Sequence, residues 1–178
     1  MLEEKQIERK EIYNGAVLHL VKDRILLPNG KEGFREICLH KGAAAIIPLT
    51  DDNEVITVSQ YRYAHGRVVL EIPAGKFDYD GEDPRACAIR ELKEETGAVA
   101  DRVISLGVID TTPALINESI HLFLAEGLHF GEVEPDEDEF LVVEKIPLCK
   151  LLDMVMEGKI RDAKTQIAIL KAARYKGL

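Results

Sequence analysis

Cysteine pairs at metal-binding or redox spacing are missing from this chain. Its three cysteines, Cys38, Cys87 and Cys149, are odd in number and form no C-x-x-C pair. That argues against a disulfide framework and against a zinc site, and leaves buried thiols as the expected role. Long apolar runs are missing too. The longest, such as Ala43 to Leu49, fall far short of the roughly 20 residues a membrane span needs. The opening stretch "MLEEKQIERKEIYNG" is charged and lacks the apolar core of a signal peptide, so the expectation is a cytoplasmic protein with no membrane partner. Basic charge is in deficit, with 23 basic against 32 acidic residues and a formal net charge of -9. Nucleic acid held on a basic surface is disfavoured by that balance. A small anion can still bind where cations bridge it to the protein. No internal repeat and no serine-rich or proline-rich divider occurs, so the 178 residues read as one domain, 42–178, preceded by a β-rich N-terminal extension, 1–41.

The first third alternates strands and turns. "AVLHLVKDRILL" leads into the turn "PNGKEG", followed by "FREICLH", "AAAIIPL", the turn "TDDNE" and "VITVSQYR". The run "AAAIIPL" is apolar throughout, as a strand covered on both faces would be. "VVLEIPAG" reads as a short strand ending in a loop at Pro73-Ala74-Gly75. Asp83 before Pro84 is a strong helix start and Gly97 a stop, which predicts a helix over 84–96 with Ala88, Ile89 and Leu92 facing a core. Strands resume at "VISLGVID", "IHLFLAEG" and "FLVVEKI", and helices close the chain at "LCKLLDMVMEG" and "DAKTQIAILKAARY". Mixed strands with a central helix and late helices indicate an α+β fold, an α/β/α sandwich with a mixed β-sheet.

The predicted helix ends in "RELKEETG". Glu91 and Glu95, at i and i+4, place two carboxylates side by side with Glu94 at the edge. Like charges at this spacing destabilise a helix, and its C-terminus already carries roughly half a negative charge. A divalent cation would reverse the sign of both effects, and all-oxygen ligands suit magnesium or manganese. The alternative is a solvated acidic face with Lys93 and Arg90 as partial partners.

"GKFDYDGEDPRACAIRELKEETGA" resembles the signature of the Nudix hydrolases. From Glu82 onward the spacing matches throughout, with seven residues to Arg90 and then Glu91, Leu92, Glu94, Glu95, Gly97 and Ala98. The front departs from it: six residues separate Gly75 from Glu82 where the signature has five. The resemblance implies that Glu91 and Glu95, with Glu94 and the backbone oxygen of Ala74, hold magnesium ions that bridge a pyrophosphate. Glu82 and Arg90 are expected as scaffold, their salt bridge tying the loop to the helix, and Gly75 and Gly97 as structural positions.

"SQYRYAHGRVVLEIPAG" is similar to the segment that precedes the signature in ADP-ribose and other nucleotide-sugar pyrophosphatases, which makes Arg62 a substrate contact and Arg67 a second candidate for anion binding. Either arginine can instead be a surface residue. Glu71 could reach the metal cluster, because a glutamate in an apolar strand is costly to bury without a partner. Pro113, sixteen residues after Gly97, resembles a marker of the ADP-ribose subgroup. In that subgroup a glutamate of the loop here written "EVEPDEDEF" swings in as general base, so Glu139 is the first choice and Glu137 the second. The implied reaction is Mg-dependent hydrolysis of ADP-ribose to AMP and ribose 5-phosphate, with another nucleotide sugar such as GDP-mannose or UDP-glucose, or a non-catalytic nucleotide-binding module, as alternatives. Tyr13, Phe34 and Tyr61 are candidates to stack on the base. Relatives of this kind are usually homodimers whose N-terminal strands cross to the partner.

Overall fold

The computed structural model describes residues 2–131 and 140–178. Among the described residues, three β-sheets and three α-helices give the mixed α+β architecture expected. The chain divides into two compact units, one of residues 1–42 with Asp110–Ser119, the other of Ala43–Ile109 with Ile120–Leu178.

The first unit is built on an antiparallel meander of β1 (Lys5–Asn14), β2 (His19–Leu26) and β3 (Glu32–Leu39). Every position of β1 is exposed, and the strand is held by its ladder to β2 and by side-chain pairs, of which one reaches a buried partner: Arg9 Nε and Nη2 donate to the two oxygens of Asp23 at 2.8 and 2.7 Å. That bond holds the Asp23 carboxyl below its usual range although burial works the other way. Within the same unit the Cys38 amide donates to the Leu115 carbonyl at 2.9 Å and the His40 amide to Asn117 Oδ1 at 2.6 Å.

The second unit is organised on β4 (Ala43–Pro48), buried at all six positions. Strand geometry sends alternate side chains to opposite faces, and both faces are covered. Ala43, Ala45 and Ile47 join a core with Leu148 and Leu151 of α2 (Leu148–Met156) and Ala168, Ile169 and Ala172 of α3 (Ala163–Lys176). Ala44 and Ile46 join a second core with Cys87, Ala88 and Leu92 of α1 (Pro84–Thr96). The small side chains of β4 let α1 lie close, and the result is the α/β/α layering. β4 runs parallel to β9 (Ser119–Phe130) and antiparallel to β7 (Ala74–Lys76), in a mixed sheet of order β7-β4-β9-β8 with β8 at Ala98–Asp110. A third sheet, β10-β5-β6, contains β5 (Glu54–Arg62), β6 (Arg67–Glu71) and β10 (Leu141–Pro147).

Two expectations are corrected. Ile89 does not face the core: it is 39% exposed, and Cys87 takes the inward position with Ala88 and Leu92. The helix turns Cys87, Glu91 and Glu95 inward together, so the buried face is part apolar and part acidic. The thiols differ as well, with Cys87 buried, Cys38 half-buried and Cys149 exposed.

Candidate active site

Local chemistry fixes α1. Asp83 caps it, its side chain accepting from the Ala86 amide at 3.1 Å; Pro84 occupies the first turn; and Gly97, at φ 68°, closes it by donating to the Lys93 carbonyl at 2.8 Å. Gly131, the last described residue before 132–139, donates to the Gly97 carbonyl at 2.7 Å. Glu137 and Glu139, the candidates for general base, lie outside the described residues.

Glu91 and Glu95 are 8% and 5% exposed. A solvated acidic face would leave them in water. Arg90 sits among four carboxylates: Nη1 donates to Glu91 Oε1 at 2.6 Å and to Glu94 Oε2 at 3.0 Å, and Nε lies 3.6 Å from Glu82 Oε1 and 3.5 Å from Asp78 Oδ2. Burial works most strongly against the guanidinium charge, but the surrounding acidic groups, Glu91 first among them and Glu94 with it, together outweigh it, and the Arg90 pKa is raised. Arg90 Nη2 also donates to the Lys76 carbonyl at 3.3 Å. The extra loop residue is accommodated in the same knot: Gly81 takes φ 84°, and buried Glu82 accepts from the Asp78 amide at 2.8 Å through Oε2. Burial pushes the neighbouring Cys87 thiol up to about 12, which makes it an inert packing group.

The donor chemistry suits a hard divalent cation. A Cβ placed on Gly75 would stand 1.9 Å from Glu91 Oε1, so glycine lets that carboxylate lie against the chain one residue from Ala74. Oxygen donors of this type are those magnesium and manganese take. Among the described residues no three His, Cys, Asp or Glu side chains already converge as a metal cage.

A cationic cleft of about 640 Å³ lies in the same unit, where the turn between β5 and β6 faces the start of α3. Tyr63, Ala64 and His65 form that turn, and Gly66 closes it at φ 61°. Glu71, 3% exposed, has the partners its burial demands. Arg62 Nε and Nη2 donate to its Oε1 and Oε2 at 2.6 and 2.9 Å, and Lys164 Nζ donates to Oε2. Burial alone would push the Glu71 carboxyl up; Arg62 and Lys164 together hold it below its ordinary value. Lys164 also lies 3.1 Å from Asp162, whose carboxylate caps α3 by accepting from the Thr165 amide at 2.9 Å. Thr165 Oγ1 in turn accepts from the Ile72 amide at 3.0 Å, so the β6 end and α3 are locked together. Glu71 raises the Arg62 pKa first of all, with smaller contributions from Glu95 and Asp162.

Arg62, Arg67 and Glu71 therefore meet at one cleft, and Ala74, Gly75, Glu82, Arg90, Glu91 and Glu94 cluster where the loop meets α1. Pro113 is exposed in a turn of the other unit. Arg161, Lys164 and Tyr63 were missed. Only the basic pair flanking the Asp162 cap in "IRDAKT" could have signalled the first two, and nothing in the sequence singled out Tyr63.

Comparison with known proteins identifies the family. The NUDIX domain model matches residues 39–167. The chain is 42% identical to an ADP-ribose pyrophosphatase of Bacillus subtilis over 94% of its own length and 91% of the relative's. It is also 42% identical to a methanol dehydrogenase activator of Bacillus methanolicus over 95% and 92%. In fold it is similar to a crystal structure of an ADP compounds hydrolase, with a TM-score of 0.86, 22% identity, and coverage of 99% of this chain and 97% of the other. The chain belongs to the Nudix family, as a pyrophosphatase of that family.

Among the described residues no helix is long and apolar enough to cross a membrane.

Proposed function

We propose that this Nudix pyrophosphatase hydrolyses ADP-ribose to AMP and ribose 5-phosphate with magnesium as cofactor. The observation that carries the reading is the presence in one compact unit of a buried acidic face, Glu91 and Glu95, and a cationic cleft lined by Arg62, Arg67, Arg161 and Lys164. One side suits a cation and the other an anion. The 42% identity to an ADP-ribose pyrophosphatase supports the choice of nucleotide.

In this reading Glu91 and Glu95, with Glu94 and the Ala74 carbonyl, hold a divalent ion that would neutralise charge on the diphosphate oxygens. Arg62, oriented by Glu71, binds the diphosphate through its outer edge, since the Nε edge is already engaged. Glu139, or failing it Glu137, takes the proton of the attacking water. A base carried on a separate segment avoids a standing repulsion with Glu91 and Glu95. Tyr61, exposed beside Arg62, is a candidate for stacking on the base, with Tyr13 and Phe34, both exposed in the other unit.

A homodimer through the N-terminal sheet belongs to the same proposal. Its support is the apolar side chains exposed there, among them Ile7, Ile12, Tyr13 and Phe34. Light scattering of the full chain against a variant with Ile7 and Ile12 changed to Lys tests it; a monomer for the unaltered chain would end it.

Product analysis across ADP-ribose, GDP-mannose and UDP-glucose, with magnesium present or chelated, tests the activity. AMP released from ADP-ribose fastest, and only with the metal, is the expected result. A rate on ADP-ribose no better than on the others overturns the substrate. The equal identity to a methanol dehydrogenase activator favours a second reading, action on a dehydrogenase partner. Adding the protein to an alcohol dehydrogenase assay reads that directly.

A further inference from the structure

The cleft holds more positive charge than its own carboxylates balance, and the consequence rests on the nucleoside-diphosphate reading above and extends it. Arg62 and Lys164 are matched by Glu71 and Asp162. Arg67 and Arg161 line the same cleft, and among the described residues neither has a carboxylate within ion-pairing distance. Arg67 stands directly opposite Arg62 in the β5–β6 ladder, where like charges facing each other are unfavourable. Glu71 relieves Arg62 alone. Arg161 adds a guanidinium immediately before the Asp162 cap.

In a chain of net charge -9, carboxylates are plentiful, yet none among the described residues serves these two arginines. A cleft of about 640 Å³ has the size of a small-molecule site. Guanidinium groups present paired N–H donors that match the oxygens of a phosphate, and they stay charged at any working pH. The scissile diphosphate is already provided for by Arg62 and the acidic face. We propose that Arg67 and Arg161 form a second anion subsite that binds a phosphomonoester carried by the substrate outside the diphosphate that is cleaved. The preferred substrate is then a nucleoside diphosphate sugar bearing a third phosphate, on either the nucleoside ribose or the distal sugar.

Steady-state kinetics of the full chain with magnesium test this on three substrates: ADP-ribose, ADP-ribose phosphorylated on the adenosine ribose, and ADP-ribose phosphorylated on the distal ribose. One phosphorylated form is expected to show a KM lower by roughly tenfold, the scale of one charge-assisted paired contact. That advantage should shrink in Arg161→Gln and in Arg67→Gln, recover in part in Arg161→Lys, and weaken as salt is raised. Which arm responds identifies the half of the substrate that carries the phosphate. Equal KM for all three substrates, or an advantage that persists in both Gln variants, overturns the subsite while leaving ADP-ribose hydrolysis standing. If no nucleotide is hydrolysed, the diphosphatase reading fails. Titration calorimetry with adenosine 2′-monophosphate and ribose 5-phosphate then decides the subsite separately: binding of either that is lost in Arg161→Gln supports it, and binding of neither, or binding unchanged in that variant, overturns it.

Discussion

The acidic face of α1 and the cationic cleft at the start of α3 solve the same electrostatic problem in opposite ways. On α1, Glu91 and Glu95 crowd one helix face, and Arg90 from the same helix gathers Glu91 and Glu94 while reaching the loop through Glu82. In the cleft, Arg62 and Arg67 crowd one ladder position, and the relief comes from Glu71, brought in by the strand, with Lys164 from α3 as its second cation. The helix is compensated locally, by neighbours in sequence. The cleft is compensated over a separation of 93 residues, through Lys164. Neither region is complete, since the acidic one suits a cation and the basic one an anion, and a metal-bound diphosphate, as proposed, would satisfy both.

Breaking the acidic half should have the largest effect. Glu91→Gln is expected to lower kcat by roughly 10²–10³-fold, the scale of losing one preorganised electrostatic contact, with a far smaller change in KM; steady-state assays with magnesium read both. Gly75→Ala sharpens the same point. The atoms nearest its new Cβ all belong to the Glu91 carboxylate, the movable end of a side chain, so Tm should hold while activity falls by roughly 10-fold or more, since small misplacements are costly in catalysis. Preserved activity in that variant would mean that the seat of Glu91 against the loop is irrelevant.

Breaking the basic half should register in stability and in KM. Glu71→Gln leaves Lys164 and Arg62 short of a carboxylate in a partly buried site, at a cost of about 1–3 kcal/mol, with the exposed part of Arg62 placing it toward the low end. The pH dependence gives a finer reading. The Glu71 carboxyl is held below its ordinary value, so its contribution is fully present above about pH 4.3, the unperturbed glutamate value, and is lost as pH falls through the lowered folded one. The stability gap between the unaltered chain and Glu71→Gln, measured by urea denaturation, should therefore narrow in acid and stay constant near neutrality. The smallest effect is expected from Arg62→Lys, which keeps the charge and loses the fork; a KM rise of roughly threefold to tenfold with kcat nearly unchanged would separate ground-state binding from chemistry.

Much of the architecture was legible beforehand because it is written in local chemistry. Asp83, Pro84 and Gly97 bound α1 where the cap signals placed it, and the unbroken apolar run at β4 corresponds to a strand covered on both faces. Ile89 was misplaced because its three-residue spacing from Leu92 fits an apolar stripe better than the five-residue spacing of Cys87 does; only the packing of α1 on β4 selects between them. The cleft was half legible. Arg62, Arg67 and Glu71 lie within ten residues of one another, but Arg161 and Lys164 belong to a late helix start, and no periodicity links them to a hairpin so far upstream.

What the amino-acid order decided by itself is the set of elements that depend on neighbours: capped helices, alternating strands, the left-handed turns at Gly66, Gly81 and Gly97, and the family to which the spacing of Glu82, Arg90, Glu91 and Glu95 points. Tertiary structure alone decided which charges are buried and what answers them, because burial and ion pairing depend on distances between segments remote in the chain. Glu71 is an oddity in an apolar strand until α3 folds over it and brings Lys164 to its carboxylate.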